Sequence, residues 1–394
     1  MEQQGKLGFI DGLKAIATIL VFNIHFINAY YCGVYTLDPK YFHTQSGIEW
    51  YIGATPLNLI YAGKVGARIF LCLSAFLLAR SFFLSKHGSD DAVNILVKAS
   101  VKKYLRLVCP IIVVNLFVFS LMRCGAYHNG EVAVLANSVE FFGPYNQFSP
   151  HLFAALKEAV WDCFVTGGNA YNGPLWFIHY EFWGCILVAV ILALTGKRRM
   201  RYLLYGVLAL VLIRSDYLSM ILAVVVADLI YTQADRIRSL TQKQWLMWML
   251  LVVSLYFVTY PSYGDNLQGS IYAILPPKVL FYYNVAIPMM LLAIYYLRPV
   301  QQLLERKGLC RFQKISYSFY LIHFPLICTL STAFFLVMYN KINYHILFLL
   351  NYVLTFTIST ILAWVLTKLI DQPGTKMAEK ITRHLIRKRT YEDQ

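Results

Sequence analysis

Ten stretches of the chain are apolar around most of their circumference, and polar or charged segments divide them. They lie near Leu13–Tyr31, Ile60–Phe83, Tyr104–Met122, Leu175–Leu194, Tyr202–Ile213, Tyr217–Tyr231, Trp245–Tyr260, Val279–Leu297, Ser316–Met338 and Ile346–Ile370. A helix needs about 20 apolar residues to cross the hydrocarbon core of a bilayer. The pattern therefore predicts an all-α integral membrane protein of about ten transmembrane helices. Tyr202–Ile213 and Tyr217–Tyr231 are short and flank Arg214 and Asp216, so they read as one broken helix or two tilted ones. The apolar stretch after Lys14 runs to about Tyr31 without a small-residue cleavage site, and is expected to remain as the first span.

Charge orients the spans. With the N-terminus in the cytoplasm and sides alternating from there, 27 of the 35 Lys and Arg fall on the inner side. Both termini are therefore expected to be cytoplasmic, in a multi-pass protein of the cell membrane. Residues 1–375 read as one transmembrane domain and 376–394 as a basic cytoplasmic tail, a surface helix suited to anionic lipid. Gly33–Leu59 and Arg123–Pro174 become long outer segments, the second with a helix-like stretch at Leu152–Phe164. The composition, 58% apolar and 14% charged, excludes an ordinary soluble enzyme, which carries about 25% charged residues. The formal charge of +15 is the surplus that inner loops supply, so no nucleic-acid partner is expected. Eight scattered cysteines show no C-x-x-C or paired Cys/His spacing, and no metal site or disulfide framework is expected.

Ionisable side chains inside spans are costly and mark candidate chemistry. Lys14 and His25 are eleven helical steps apart, which is within roughly 20° of three full turns and a rise of about 16.5 Å. They share one helix face, with Lys14 at the inner end and His25 near mid-bilayer. The separation suits a long donor whose phosphates stay at the inner surface while its reactive end reaches inward, as the pantetheine arm of coenzyme A would. An imidazole there could take the proton of an acceptor hydroxyl, or could instead serve only a helix–helix hydrogen bond. Ser316, Tyr320 and His323 form a second polar stripe at i, i+4, i+7. His323 lies about 13.5 Å of rise beyond Lys314, a depth comparable with that of His25. Lys64 and Arg68 stand one turn apart in the second span, and Glu181 lies inside the fourth. An Arg68–Glu181 ion pair is expected, since neither charge should face lipid alone.

Several of these segments also resemble a known family. IDGLK (Ile10–Lys14), followed after ten residues by His25, resembles the opening of the membrane-bound acyltransferase family 3 proteins, which acylate cell-surface glycans and other acceptors. GARIFLCLSAFLL (Gly66–Leu78) is similar to that family's second-span motif, with Ala75 where glycine is usual. KKYLRLVCP (Lys102–Pro110) is similar to its arginine-rich run before the third span, Lys103 and Arg106 forming a K-x-x-R variant. GPLWFIHYEF (Gly173–Phe182) resembles its GPLW segment, SYSFYLIHFPL (Ser316–Leu326) its late-span motif, and DQP (Asp371–Pro373) its E-x-P.

The resemblance implies a membrane O-acyltransferase that moves an acyl group, expected to be acetyl, from cytoplasmic acyl-CoA to a hydroxyl of a surface glycan or similar acceptor. Acyl-CoA is then a substrate, and no permanently bound cofactor is expected. Lys14, Lys102, Lys103 and Arg106 are the expected donor-binding residues. His25 is the expected general base, with Glu181 or His323 orienting the acceptor and Arg68, Trp176 and Tyr320 on the acceptor side. Direct transfer and a covalent acyl-His25 intermediate are both open. The alternatives are a transporter or flippase for a lipid-linked glycan, although no repeated halves are visible, and a non-catalytic membrane assembly factor.

Overall fold

The computed structural model describes residues 6–85, 94–196, 198–263 and 267–392, with side chains to residue 386. Lys86 and Lys197, counted above among the inner basic residues, lie outside the described residues. Every one of the ten apolar runs is helical, and there is no strand among the described residues. The helices are α1 (Gly8–Tyr30), α2 (Gly63–Leu84), α3 (Lys103–Arg123), α4 (Trp176–Thr195), α5 (Arg201–Val211), α6 (Leu218–Thr232), α7 (Gln244–Val258), α8 (Val279–Tyr296), α9 (Ser316–Leu326), α10 (Tyr344–Leu366) and α11 (Gln372–Glu392).

The chain is an all-α integral membrane protein, but with fewer full-length spans than the ten expected. Among the described residues seven helices are long and apolar enough to cross a membrane, or eight if α6 and the helix after it, Ala234–Thr241, count as one span bent by 96°. α5 and α7 have 11 and 15 residues. At 1.5 Å per residue an 11-residue helix rises about 16.5 Å, roughly half the hydrocarbon thickness. Apolarity alone had placed these runs in the bilayer; their length keeps them from spanning it unaided.

α1 is the hub. It packs on α2, on α9 and on the short helices Arg298–Leu304 and Lys307–Gln313, while α2 in turn packs on α4, α6 and α8. Glycines set the α1–α2 approach: a Cβ at Gly66 would lie 2.6 Å from the Ala17 carbonyl oxygen, and one at Gly63 would lie 2.1 Å from Ile24 Cγ2. Small residues on this face let the backbones close together. The pairing of Gly66 with Ala17 and Gly63 with Ile24 makes the two helices antiparallel. It also places the first turn of α2 beside His25.

α9 continues through a π-turn, Ile327–Ser331, into Thr332–Met338. Pro325 has no N–H to give, so the carbonyl four residues back, that of Leu321, loses its helical partner. The Asn172 side chain replaces it, donating to Leu321 O at 2.9 Å. That bond, with the Tyr320 hydroxyl donating to the Pro174 carbonyl, docks the Gly173–Leu175 turn and the start of α4 on α9. The residue boundary drawn at 375/376 falls inside a continuous helix, because α10 runs through a π-turn, Thr367–Asp371, into α11. α11 packs on α3, with Ala378 and Thr382 buried and Lys102 paired to Glu379 at 3.1 Å.

The two long intervening segments fold over the end of the bundle away from Lys14. Asn137 donates to the Lys40 carbonyl at 2.6 Å, and Ser138 to the Ala29 carbonyl at 2.8 Å. Leu152–Phe164 is helical as expected, with Ala155, Ala159 and Cys163 buried and Phe153 and Trp161 exposed. His43 in this cap stacks on Tyr344, ring centroids 4.4 Å apart, and its Nε2 lies 3.1 Å from the Ala136 carbonyl. Burial lowers the His43 pKa, against the smaller upward pull of that carbonyl. The unfolded chain then takes up the proton that folded His43 resists, so the stability owed to neutral His43 is present above the ordinary imidazole value of about 6.5 and is lost as the pH falls below it. Acidifying from pH 7.5 to 5 should therefore lower the melting temperature of the wild type more than that of His43→Gln, and equal falls would remove His43 from the account.

Candidate active site

Two cavities enter the bundle from opposite ends and share a wall. The first, about 470 Å³, opens at the Lys14 end. Its lining includes Lys14, Lys98, Lys102, Lys103, Arg106 and Lys314 against only two carboxylates, Glu181 and Asp371. The second, about 390 Å³, is lined by His25, Asn28, Lys64, Glu140, Tyr145, Trp176 and Phe324 among others. Phe177 and Tyr320 line both cavities and so form the partition between them. The docked start of α4 carries Phe177 and the Pro325-altered α9 carries Tyr320, which is how the two departures from regular helix described above come to build the partition.

His323 lies against His25, with ring centroids 5.3 Å apart, and Phe324 packs edge-on against His25 at 4.9 Å. His323 Nδ1 is 3.1 Å from the Phe319 carbonyl, which requires Nδ1 to carry the hydrogen. Nε2 is thereby left with its lone pair, and this buried atom has no hydrogen-bond partner among the described residues. Among the described residues His25 makes no hydrogen bond, and its ring faces the cavity. The pair thus combines one accessible imidazole with one buried imidazole of fixed tautomer. A site of this kind can accept and hold a proton at mid-depth in the bundle.

The charges within the bundle pair differently from expectation. Glu181 forms its ion pair with Lys103 and accepts from Ser74 Oγ at 2.6 Å, while Arg68 pairs with Asp216 at 2.5 Å. The reason is depth: Ser74 is six residues, about 9 Å, further along α2 than Arg68, and that turn is the one that meets Glu181. Glu181 consequently lines the basic cavity and not the His25 cavity, so it is not placed to orient an acceptor at His25. Arg68 lines neither cavity and is held over the Tyr283 ring at 5.7 Å, which removes it from the acceptor side. Trp176 and Tyr320 do line the His25 cavity, and Lys14, Lys102, Lys103 and Arg106 line the basic one. Lys103 also donates to Cys185 Sγ at 2.9 Å, so its charge is already spoken for, whereas Lys14 and Arg106 form no ion pair among the described residues.

The family model described as an acyltransferase domain matches residues 7–368, nearly the whole chain. The chain belongs to the acyltransferase 3 family. No curated protein and no solved structure matches it. Acyltransferase 3 membership makes the chain a multi-pass membrane enzyme that transfers acyl groups, and the two cavities described here lie wholly within the matched region apart from Asp371. Sequence reading had named Lys64 and Lys314 without giving them a place in the site, had counted Lys98 only among the inner basic residues, and had missed Asn28 and Glu140, which line the His25 cavity of this acyltransferase. Asn28 could have been found, since it follows His25 by three positions and so falls on the same helix face.

Proposed function

We propose that this acyltransferase moves an acyl group, acetyl in the simplest case, from acyl-CoA in the basic cavity to a hydroxyl acceptor in the His25 cavity. The observation that carries this reading is the pair of cavities, one basic and one holding the imidazoles, meeting at Phe177 and Tyr320. Six cations against two carboxylates suit a polyanionic donor such as the phosphates of coenzyme A. The basic cavity then faces the cytoplasm, where the positive-inside bias puts it, and the His25 cavity faces the far side of the cell membrane. A surface glycan is the acceptor class that fits this arrangement.

In the reaction the acceptor oxygen forms a bond to the thioester carbonyl carbon as His25 takes the hydroxyl proton. The C–S bond then breaks, and the departing thiolate takes up a proton to leave as free coenzyme A. His323, through its Nε2 lone pair, is the group suited to hold an N–H of His25 so that the other ring nitrogen faces the acceptor. Trp176 and Tyr320 shape the acceptor side of the wall.

Arg106 gives the cleanest test of the donor side, because it is exposed in the cavity and carries no ion pair, whereas neutralising Lys103 would strand Glu181 in the bundle. Arg106→Gln should raise the KM for acetyl-CoA by about tenfold, the value of one charge-assisted contact partly screened by water. The acceptor KM should not change. Steady-state acetyl transfer by purified protein in detergent checks this, and an unchanged donor KM would take Arg106 out of the donor site.

A further inference from the structure

We propose that the acceptor taken by the His25 cavity is anionic, carrying a carboxylate or phosphate beside the hydroxyl that is acylated, and that Lys64 is the residue that selects it. The inference rests on reading that cavity as the acceptor side. Lys64 opens the first turn of α2, whose Gly63 abuts Ile24, so the Lys64 side chain belongs to the same level of the bundle as His25. It lines the His25 cavity.

The two buried cations among the described residues are neutralised, Arg68 by Asp216 and Arg201 by Asp228, and so is half-buried Lys103 by Glu181, whereas half-buried Lys64 carries no ion pair. Its Nζ contacts only the Ser262 carbonyl at 3.5 Å and lies 5.4 Å from the centre of the Tyr35 ring, and it pairs with no carboxylate among the described residues. The other charge on the cavity is Glu140, an exposed residue that forms no salt bridge with Lys64 among the described residues. An ammonium held over an aromatic face at the start of a span, with no carboxylate in salt-bridge contact, is a costly arrangement that an anionic ligand relieves. Lys14 and Arg106 likewise form no ion pair among the described residues at the donor end, where the proposed ligand is a polyanion.

A second observation points to a ligand at this place. Asn28 lines the same cavity, and its buried Oδ1 atom accepts no hydrogen bond among the described residues, which leaves an acceptor for a hydroxyl hydrogen one turn beyond His25. Base, hydroxyl acceptor and cation thus line one cavity about 390 Å³ in volume, enough for a sugar unit, with Tyr35, Trp176 and Tyr263 as aromatic walls. Glu140, Phe141 and Tyr263 also line an adjoining cavity of about 660 Å³, which gives a longer chain room to continue outward.

The test measures binding to the purified full chain, without donor, of methyl β-D-glucuronide, glucose 6-phosphate and the neutral methyl β-D-glucoside. At least one anionic sugar should bind about tenfold more tightly than the glucoside. Lys64→Gln should erase that preference, and Lys64→Arg should keep it. Tighter binding of the glucuronide alone assigns a carboxylate, and of the phosphate alone a phosphoryl group. Equal affinities for charged and neutral sugars, no binding of any of the three, or a preference that survives in Lys64→Gln would overturn the proposal. Acetyl-CoA is then added: a Lys64-dependent preference without acetylation of the bound sugar would count against the acyl-transfer reading and leave the anion site standing.

Discussion

His25→Gln should fold, insert and bind acetyl-CoA as the wild type does, yet turn over some 10²–10⁴-fold more slowly. The magnitude is that of removing a positioned general base. Glutamine keeps the size and the hydrogen-bonding capacity of the imidazole but has no basic nitrogen, so it separates chemistry from packing. His25 lines a cavity and makes no hydrogen bond among the described residues, so little stability depends on it. His323 is different, since its ring is buried and its Nδ1 is tied to the Phe319 carbonyl. His323→Gln should therefore lower both turnover and melting temperature. A His25→Gln enzyme with near-normal turnover would show that the imidazole is not the base.

The second large effect concerns stability. Arg201 and Asp228 form a bidentate pair, Nε to Oδ2 at 2.5 Å and Nη2 to Oδ1 at 3.0 Å, with side chains only 5% and 2% exposed. The Arg201 Nη2 group also donates to Thr232 Oγ1 at 3.1 Å. The pair clamps α5, too short to span alone, to α6. Asp228→Ala leaves a guanidinium buried without its partner, and a loss on the order of 3–5 kcal/mol is expected. Replacing both residues with apolar ones of similar size, Arg201→Met with Asp228→Leu, should recover most of it, because neither charge is then stranded. Thermal unfolding in detergent of the single and double variants measures this. Equal losses in both would mean that the clamp acts through shape and not through charge.

The helices were legible in the sequence because apolar runs of sufficient length have few alternatives to helix in a membrane. The Lys14–His25 face was legible for a related reason, since helical period fixes relative direction along a single element without any knowledge of its neighbours. Pairings between elements were not legible. Whether Arg68 meets Glu181 or Asp216 depends on the depth at which α2, α4 and the α5–α6 turn cross, and α2 meets Glu181 through Ser74 instead. Asp228 carried a usable signal, being the one acid within the apolar run of α6. Arg201 hid among the basic residues Arg198 and Arg199, where positive-inside counting absorbs it. The partition between the cavities had no signature of its own, because it arises where Asn172 takes up the Leu321 carbonyl that Pro325 frees.

Compartment-resolved transfer in sealed vesicles addresses the two-cavity arrangement most directly. The purified protein is reconstituted in one orientation, acetyl-CoA is supplied only on the side of Lys14 and Arg106, and a mixture of membrane-impermeant acidic and neutral sugars is placed only on the other. Mass spectrometry of the two compartments should find acetylated sugar on the side opposite the donor, with His25→Gln vesicles giving little. Acetylation only when donor and sugars share one compartment would contradict transfer between cavities that open at opposite ends of the bundle.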